Sequence, residues 1–268
     1  MGAITSYIAF SSLADPPLIV AGKLCTPEGA APGSAAAVLI CHGSGGVDGR
    51  GDFHAAALQA RGLATLEIDM WAARGTGRGP GARPRSPIDT LPDAFGALRF
   101  LAAQPEIDPA RIGIMGFSWG GVVTLLSATR RVADAFRGDG PGFAAHAAFY
   151  PVCWSFMPGA PMAWSGLTGA PVLIQTGDED AYDDPDAGAA LLASLAPADA
   201  AHVRLITHRG AGHGFDRDRP AVLINDPFAH QGRGGEVWMR FNPQAAEAAR
   251  TAAADFLAAA LAAAAPSA

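Results

Sequence analysis

The sequence predicts an α/β fold, with a mostly parallel central sheet and helices on both of its faces. Two observations carry that expectation. Short apolar runs alternate along the chain with helical patterns of ten or more residues, the rhythm of strand–helix–strand units. Runs such as VLI (38–40) and VLIQ (172–175) also lack strict polar alternation, as strands covered on both sides do. A chain of 268 residues, half of them hydrophobic, is long enough to build such a sheet around one core.

Taken in order, AAAVLICHG (35–43) reads as a buried strand and FHAAALQARG (53–62) as a helix with Gly62 at its C-terminal side. LATLEIDMW (63–71) is the next strand, and residues 72–89 form a Gly/Pro/Arg loop. A helix over 90–108 precedes the strand RIGIMGFS (111–118), which runs into a turn and then the helix WGGVVTLLSATR (119–130). Strands follow over 143–151, 170–180 and 201–210, with a helix over 184–196 and a terminal helix over 242–262. No repeat or linker interrupts the pattern, so residues 1–268 are expected to form a single domain. An insertion at about 225–241 carries Phe228, Trp238 and Phe241, which are expected to pack locally or to wall the site.

Composition narrows the function classes. A formal net charge of −6 argues against a nucleic-acid footprint, which needs a clustered basic face. The arginine-rich stretch 74–85 is equally rich in Gly and Pro and reads as a surface loop. Cys25, Cys41 and Cys153 are too few and too scattered for a disulfide framework or a metal site, and read as buried thiols. The N-terminal residues have no signal-peptide pattern, and no apolar tract reaches membrane-spanning length. A soluble, cytoplasmic protein is expected, with no nucleic-acid or membrane partner, no metal and no cofactor.

The chemistry concentrates in Gly116-Phe117-Ser118-Trp119-Gly120, a G-x-S-x-G match with a strand before it and a helix after it. Glycines two positions either side of the serine let strand and helix approach closely and push the hydroxyl outward. The competing reading is a serine that merely caps the helix. A nucleophilic serine needs a base oriented by a third group. Of seven histidines, His54 and His146 fall inside a helix and a strand, where packing is expected. His213 stands in RGAGHGFD, a glycine-flanked loop after the last strand and at the carboxyl edge of the sheet, with His208 as runner-up. The loop GDEDAYDDPD offers Asp178, Glu179, Asp180, Asp183, Asp184 and Asp186 as the third member; the order Ser…Asp…His is met by all of them. Backbone donors for a developing oxyanion are expected from Trp119, after the serine, and from Ser44, or Gly45 beside it, in the glycine-rich loop ICHGSGG (40–46).

VLICHGSGG, DAFGALRFLAAQPEIDPARIGIMGFSWGG, GDEDAYDDP and GAGHGF, in that order over residues 35–262, resemble the dienelactone hydrolase family of α/β-hydrolases. The resemblance implies the α/β-hydrolase fold, a small-molecule ester or lactone substrate and Asp180 as the triad acid, with Asp178 and Asp183 as alternatives. It further implies that Arg74 and Arg217 hold a substrate carboxylate. Trp71, Trp119 and Trp154 are candidates for an apolar acyl or alcohol pocket. Two departures stand out: dienelactone hydrolases proper use a cysteine nucleophile, where this chain has Ser118, and no glutamate accompanies it in the HGSGG loop. Both favour a serine esterase over true dienelactone hydrolysis; a monomer or homodimer is expected. The competing functions are a peptidase or acyltransferase on the same triad, and a non-catalytic binding protein that kept the fold.

Overall fold

In the computed structural model, which describes residues 2–75 and 83–264, eight strands form one sheet in the order β1-β2-β4-β3-β5-β6-β7-β8. The strands are β1 (Ala3–Ser11), β2 (Ile19–Pro27), β3 (Ala35–Cys41), β4 (Ala64–Asp69), β5 (Ile107–Phe117), β6 (Ala145–Phe149), β7 (Val172–Gly177) and β8 (Val203–His208). Only β2 runs against its neighbours; from β4 to β8 every pairing is parallel. This is the α/β-hydrolase architecture. Residues 76–82, within the stretch read from the sequence as a surface loop, lie outside the described residues.

The apolar runs have the double burial a parallel sheet requires. Along β3, Ala37, Leu39 and Cys41 join the core layer on one face, while Ala36, Val38 and Ile40 join the layer on the other. The first layer is covered by α2 (Leu91–Ala102), α3 (Trp119–Ser127) and α5 (Ala187–Ser194), with α4 (Arg130–Arg137) and α6 (Pro197–Ala200) at its margin. The second is covered by α1 (Gly49–Gln59) and α8 (Pro243–Ala263), the latter through Ala249, Ala253, Leu257 and Leu261 at helical spacing. Helix α1 starts four residues before the position read from the sequence. Asp48 caps it by accepting from the Arg50 N–H, which lets Gly49-Arg50-Gly51 enter the helix despite two poor helix formers.

The insertion folds as an antiparallel hairpin, β9 (Val222–Asp226) and β10 (Gly235–Met239), joined through a short turn, α7 (Ala229–Gly232). That turn is fastened to the loop after β7: the N–H groups of His230 and Gln231 donate to the carbonyls of Ala181 and Tyr182 at 2.8 and 3.2 Å. None of the described helices is long and apolar enough to cross a membrane. The carboxyl ends of β3, β4, β5, β7 and β8 all open on one edge, where ligands bind in open α/β sheets.

Candidate active site

Ser118 sits at the tip of the β5–α3 turn with φ 51° and ψ −107°, a conformation that side chains other than glycine rarely adopt. The turn is over-determined. The Ser118 N–H donates to the Phe149 carbonyl at 2.9 Å, and the Ser118 carbonyl accepts from the Val122 N–H at 2.9 Å. A Cβ on Gly116 would overlap the backbone of Gly120, and one on Gly120 would overlap the carbonyl of Cys41. The glycine spacing is therefore a steric condition for the strand and helix to meet at this angle.

Two further loops converge on the serine. His213 Nε2 lies 2.8 Å from Ser118 Oγ, and His213 Nδ1 lies 2.9 Å from Asp180 Oδ2. The other Asp180 oxygen accepts from the Tyr182 N–H at 2.9 Å. His213 and Asp180 are buried, whereas Ser118 is half-buried and reaches a cavity. The alternative acids face elsewhere. Asp178 accepts from the Gly210 N–H at 2.6 Å, and Asp183 accepts from the N–H groups of Cys153 and Trp154 at 2.6 and 2.8 Å. Burial, and then the nearby Asp180 charge, push the Asp183 carboxyl up to about 6. His208, the runner-up histidine, is paired with the Gln175 side chain at 2.9 Å.

Ser44 and Trp119 line the same cavity as Ser118. Trp119 is the first residue of α3, so its N–H belongs to the group of helix-start donors that face developing negative charge. The Ser44 loop is braced by residues to which the sequence assigned no such task. His42 Nδ1 bonds the Gly43 carbonyl at 2.8 Å, and His42 Nε2 accepts from the Met70 N–H at 3.0 Å. Burial lowers the His42 pKa to about 4, so this brace is a neutral imidazole. Trp71 Nε1 donates to the Ser44 carbonyl at 3.2 Å and its ring meets Trp119 edge-on. Trp71 thus touches the loop and does not line the cavity.

The two arginines expected to meet a substrate carboxylate have other partners. Arg74 spans Asp93, at 2.6 Å, and the carbonyls of Met70 and Asp89, which ties its own segment to α2. Arg217 lies 3.6 Å from Asp48. Neither lines the cavity in front of Ser118. A buried network runs beneath the site: Arg50 donates to the Tyr150 hydroxyl at 3.1 Å, which donates to Asp216, which also bonds His54 at 2.8 Å. Burial alone would raise the Asp216 carboxyl, but the bond from His54 and the charge of Arg50 outweigh it and hold it below the usual range. The Tyr150 ring meets His213 edge-on at 4.9 Å, so this network supports the histidine from below. His54 was read as a packing residue; its Asp216 partner lies 162 positions away, beyond any local pattern.

A parallel sheet with one reversed strand is the α/β-hydrolase fold, and a serine, a histidine and an aspartate meet at its carboxyl edge. The chain belongs to the dienelactone hydrolase family, whose sequence profile matches residues 81–261. Among solved structures, it is similar to esterase 2 of Thermogutta terrifontis phosphorylated by paraoxon, with TM-score 0.64 and 16% identity over 94% of this chain and 93% of that one. It is also similar to a dienelactone hydrolase-like promiscuous phosphotriesterase from metagenomic libraries, with TM-score 0.62 and 17% identity over 97% of this chain and 99% of that one. The dienelactone hydrolase of Anabaena variabilis ATCC 29413 gives TM-score 0.58 and 22% identity over 94% and 96%. At such identities the likeness is one of fold. An uncharacterized protein of Mycobacterium tuberculosis (strain ATCC 25618 / H37Rv) is 39% identical over 99 residues, 37% of this chain; the match spans about a third of that relative's length, 34%.

Proposed function

We propose that the protein is a serine hydrolase that cleaves a carboxylic ester or lactone through an acyl-serine intermediate. The observation that carries the reading is the unbroken line from Asp180 Oδ2 through both ring nitrogens of His213 to Ser118 Oγ, with contacts of 2.9 and 2.8 Å. That geometry suits a base held in one tautomer by a buried carboxylate. His213 Nε2 takes the hydroxyl proton as Oγ attacks the carbonyl carbon. The N–H groups of Ser44 and Trp119 receive the charge that collects on the carbonyl oxygen. As the tetrahedral species collapses, the carbon–oxygen bond to the alcohol breaks and His213 returns its proton to the leaving oxygen. Water, deprotonated by His213, then repeats the sequence on the acyl-serine and frees Ser118.

Membership of the dienelactone hydrolase family, and the fold shared with an esterase that paraoxon phosphorylates, lend support to ester cleavage at a nucleophile of this kind. Ser118→Ala should lower kcat on p-nitrophenyl butyrate by about 10⁴-fold or more. A fluorophosphonate probe should label Ser118 in the wild type. Near-full activity in the variant, or an absence of label, would overturn the assignment.

A further inference from the structure

The inserted hairpin contributes Asp226, at the end of β9, and Phe228, in its turn, to the lining of the cavity in front of Ser118. The space is small, about 180 Å³, against roughly 300–1,000 Å³ for ordinary ligand pockets. Its walls are chiefly apolar, with Trp119, Val122, Val152, Trp154, Met162 and Phe228 among them. Among the described residues, two charged side chains line it, Arg83 and Asp226. They face each other at 3.5 Å, with side chains only 7% and 4% exposed. The Arg83 guanidinium lies 4.9 Å from the centre of the Phe228 ring and 5.8 Å from that of Trp119, which holds it against the aromatic wall of the cavity. Asp226 is fixed from a further direction, accepting from the Phe228 N–H at 2.8 Å, and the Tyr182 side chain lines the same cavity.

An unpaired guanidinium in such a cavity would draw in an anionic ligand, because low local dielectric strengthens the attraction. A carboxylate already in contact with it cancels that attraction. An incoming second carboxylate would then shed its water in an apolar space while facing Asp226. Resting on the ester-hydrolase reading above, we propose that Asp226 is a specificity-determining residue. By neutralising Arg83 it restricts the site to esters with short, uncharged apolar groups and rejects esters that carry a carboxylate. Asp226 lies in the inserted hairpin, so the insertion sets the charge of the pocket.

Methyl butyrate and monomethyl succinate differ by a methyl group replaced with a carboxylate, and both can be followed by pH-stat titration of the released acid. The wild type should favour methyl butyrate in kcat/KM by about tenfold or more, the size expected for one uncompensated charge. Asp226→Asn should move the ratio towards monomethyl succinate by about tenfold, with a larger move at low salt as the freed Arg83 charge goes unscreened. Adding Arg83→Gln to that variant should abolish the move. Arg83→Gln alone leaves Asp226 unpaired and should push the ratio further against the succinate, which keeps the test independent of whether the Asp226 variant folds. Tyr182→Phe removes a cavity-lining hydroxyl without changing charge and should leave the ratio as it is. A wild type indifferent to the carboxylate, an unmoved ratio in both charge variants, or an equal move in Tyr182→Phe would overturn the proposal. If Ser118 labels and both esters are cleaved without preference, only the role of Asp226 fails. If neither is cleaved and Ser118 does not label, the ester reading fails and takes this proposal with it.

Discussion

Tyr182 lies nearly flat on His213, with ring centroids 4.0 Å apart and planes 27° apart, while its backbone N–H donates to Asp180 at 2.9 Å. One residue therefore touches both partners of the serine. Its ring covers a face of the imidazole that water would otherwise reach, and Tyr150 meets the same imidazole edge-on. Tyr182→Ala keeps the backbone bond and removes the ring. The expected outcome in steady-state kinetics is a kcat loss of about tenfold or more, through a histidine free to tilt away from Ser118. Unchanged kcat would mean that Asp180 alone orients the ring.

The acidic loop after β7 allows a sharper comparison among its carboxylates. Asp180 alone of the three candidate acids contacts His213; Asp178 and Asp183 are spent on backbone N–H groups. Asp180→Asn should lower kcat by about 10⁴-fold, since the amide favours the wrong imidazole tautomer. Asp178→Asn and Asp183→Asn should each cost less than about tenfold, a loss of loop bonds rather than of chemistry. Parallel kcat values for the three variants decide the point, and a loss in Asp183→Asn equal to that in Asp180→Asn would reassign the acid.

Much of the sheet could be read from residues 35–210 because its strands, β3 to β8, are apolar runs bounded by turns. The hairpin β1–β2 could not: β1 is an edge strand whose Ile4 and Tyr7 are 55% and 85% exposed, so no buried face imposes a pattern. The loops bearing Ser118, Asp180 and His213 were legible because each follows a strand and contains glycine or clustered acids. Chain order did not choose among the acids, since every one satisfies it; Asp180 was singled out only by the family resemblance, and it is the one that contacts His213. The Arg83–Asp226 and His54–Asp216 pairs were also hidden. Each joins residues more than 140 positions apart, and only the folded hairpin or sheet edge brings them together.

Gly120 tests the steric account of the Ser118 turn. Its missing side chain lets α3 start directly against the end of β3, where a Cβ would overlap the carbonyls of Cys41 and His42. Backbone on both sides leaves no flexible atom to yield. Gly120→Ala should destabilise the protein by roughly 3 kcal/mol or more, as overpacking against rigid neighbours does. Urea unfolding followed by circular dichroism checks this. A loss below about 1 kcal/mol would mean that the turn can relax without the glycine.

Glu67 carries a prediction for stability against pH. It stands on β4 opposite Lys23 of β2, and its carboxyl seats against Gly51, where a Cβ would overlap it. Burial, reinforced by the Asp52 charge and partly opposed by Lys23, raises its pKa from the ordinary 4.5 to about 7. The native state therefore holds the Glu67 proton more tightly than the unfolded chain does. Its contribution to stability is full below about pH 4.5, declines as pH rises to about 7, and stays lost above that. Glutamine has the same shape and cannot ionise. Glu67→Gln should gain in Tm relative to the wild type as pH is raised from about 4 to about 8, with the change confined to the window between the two pKa values. Scanning calorimetry across that range reads the difference directly, and a gap that stays constant with pH would show that Glu67 ionises in the native state as easily as in the unfolded one.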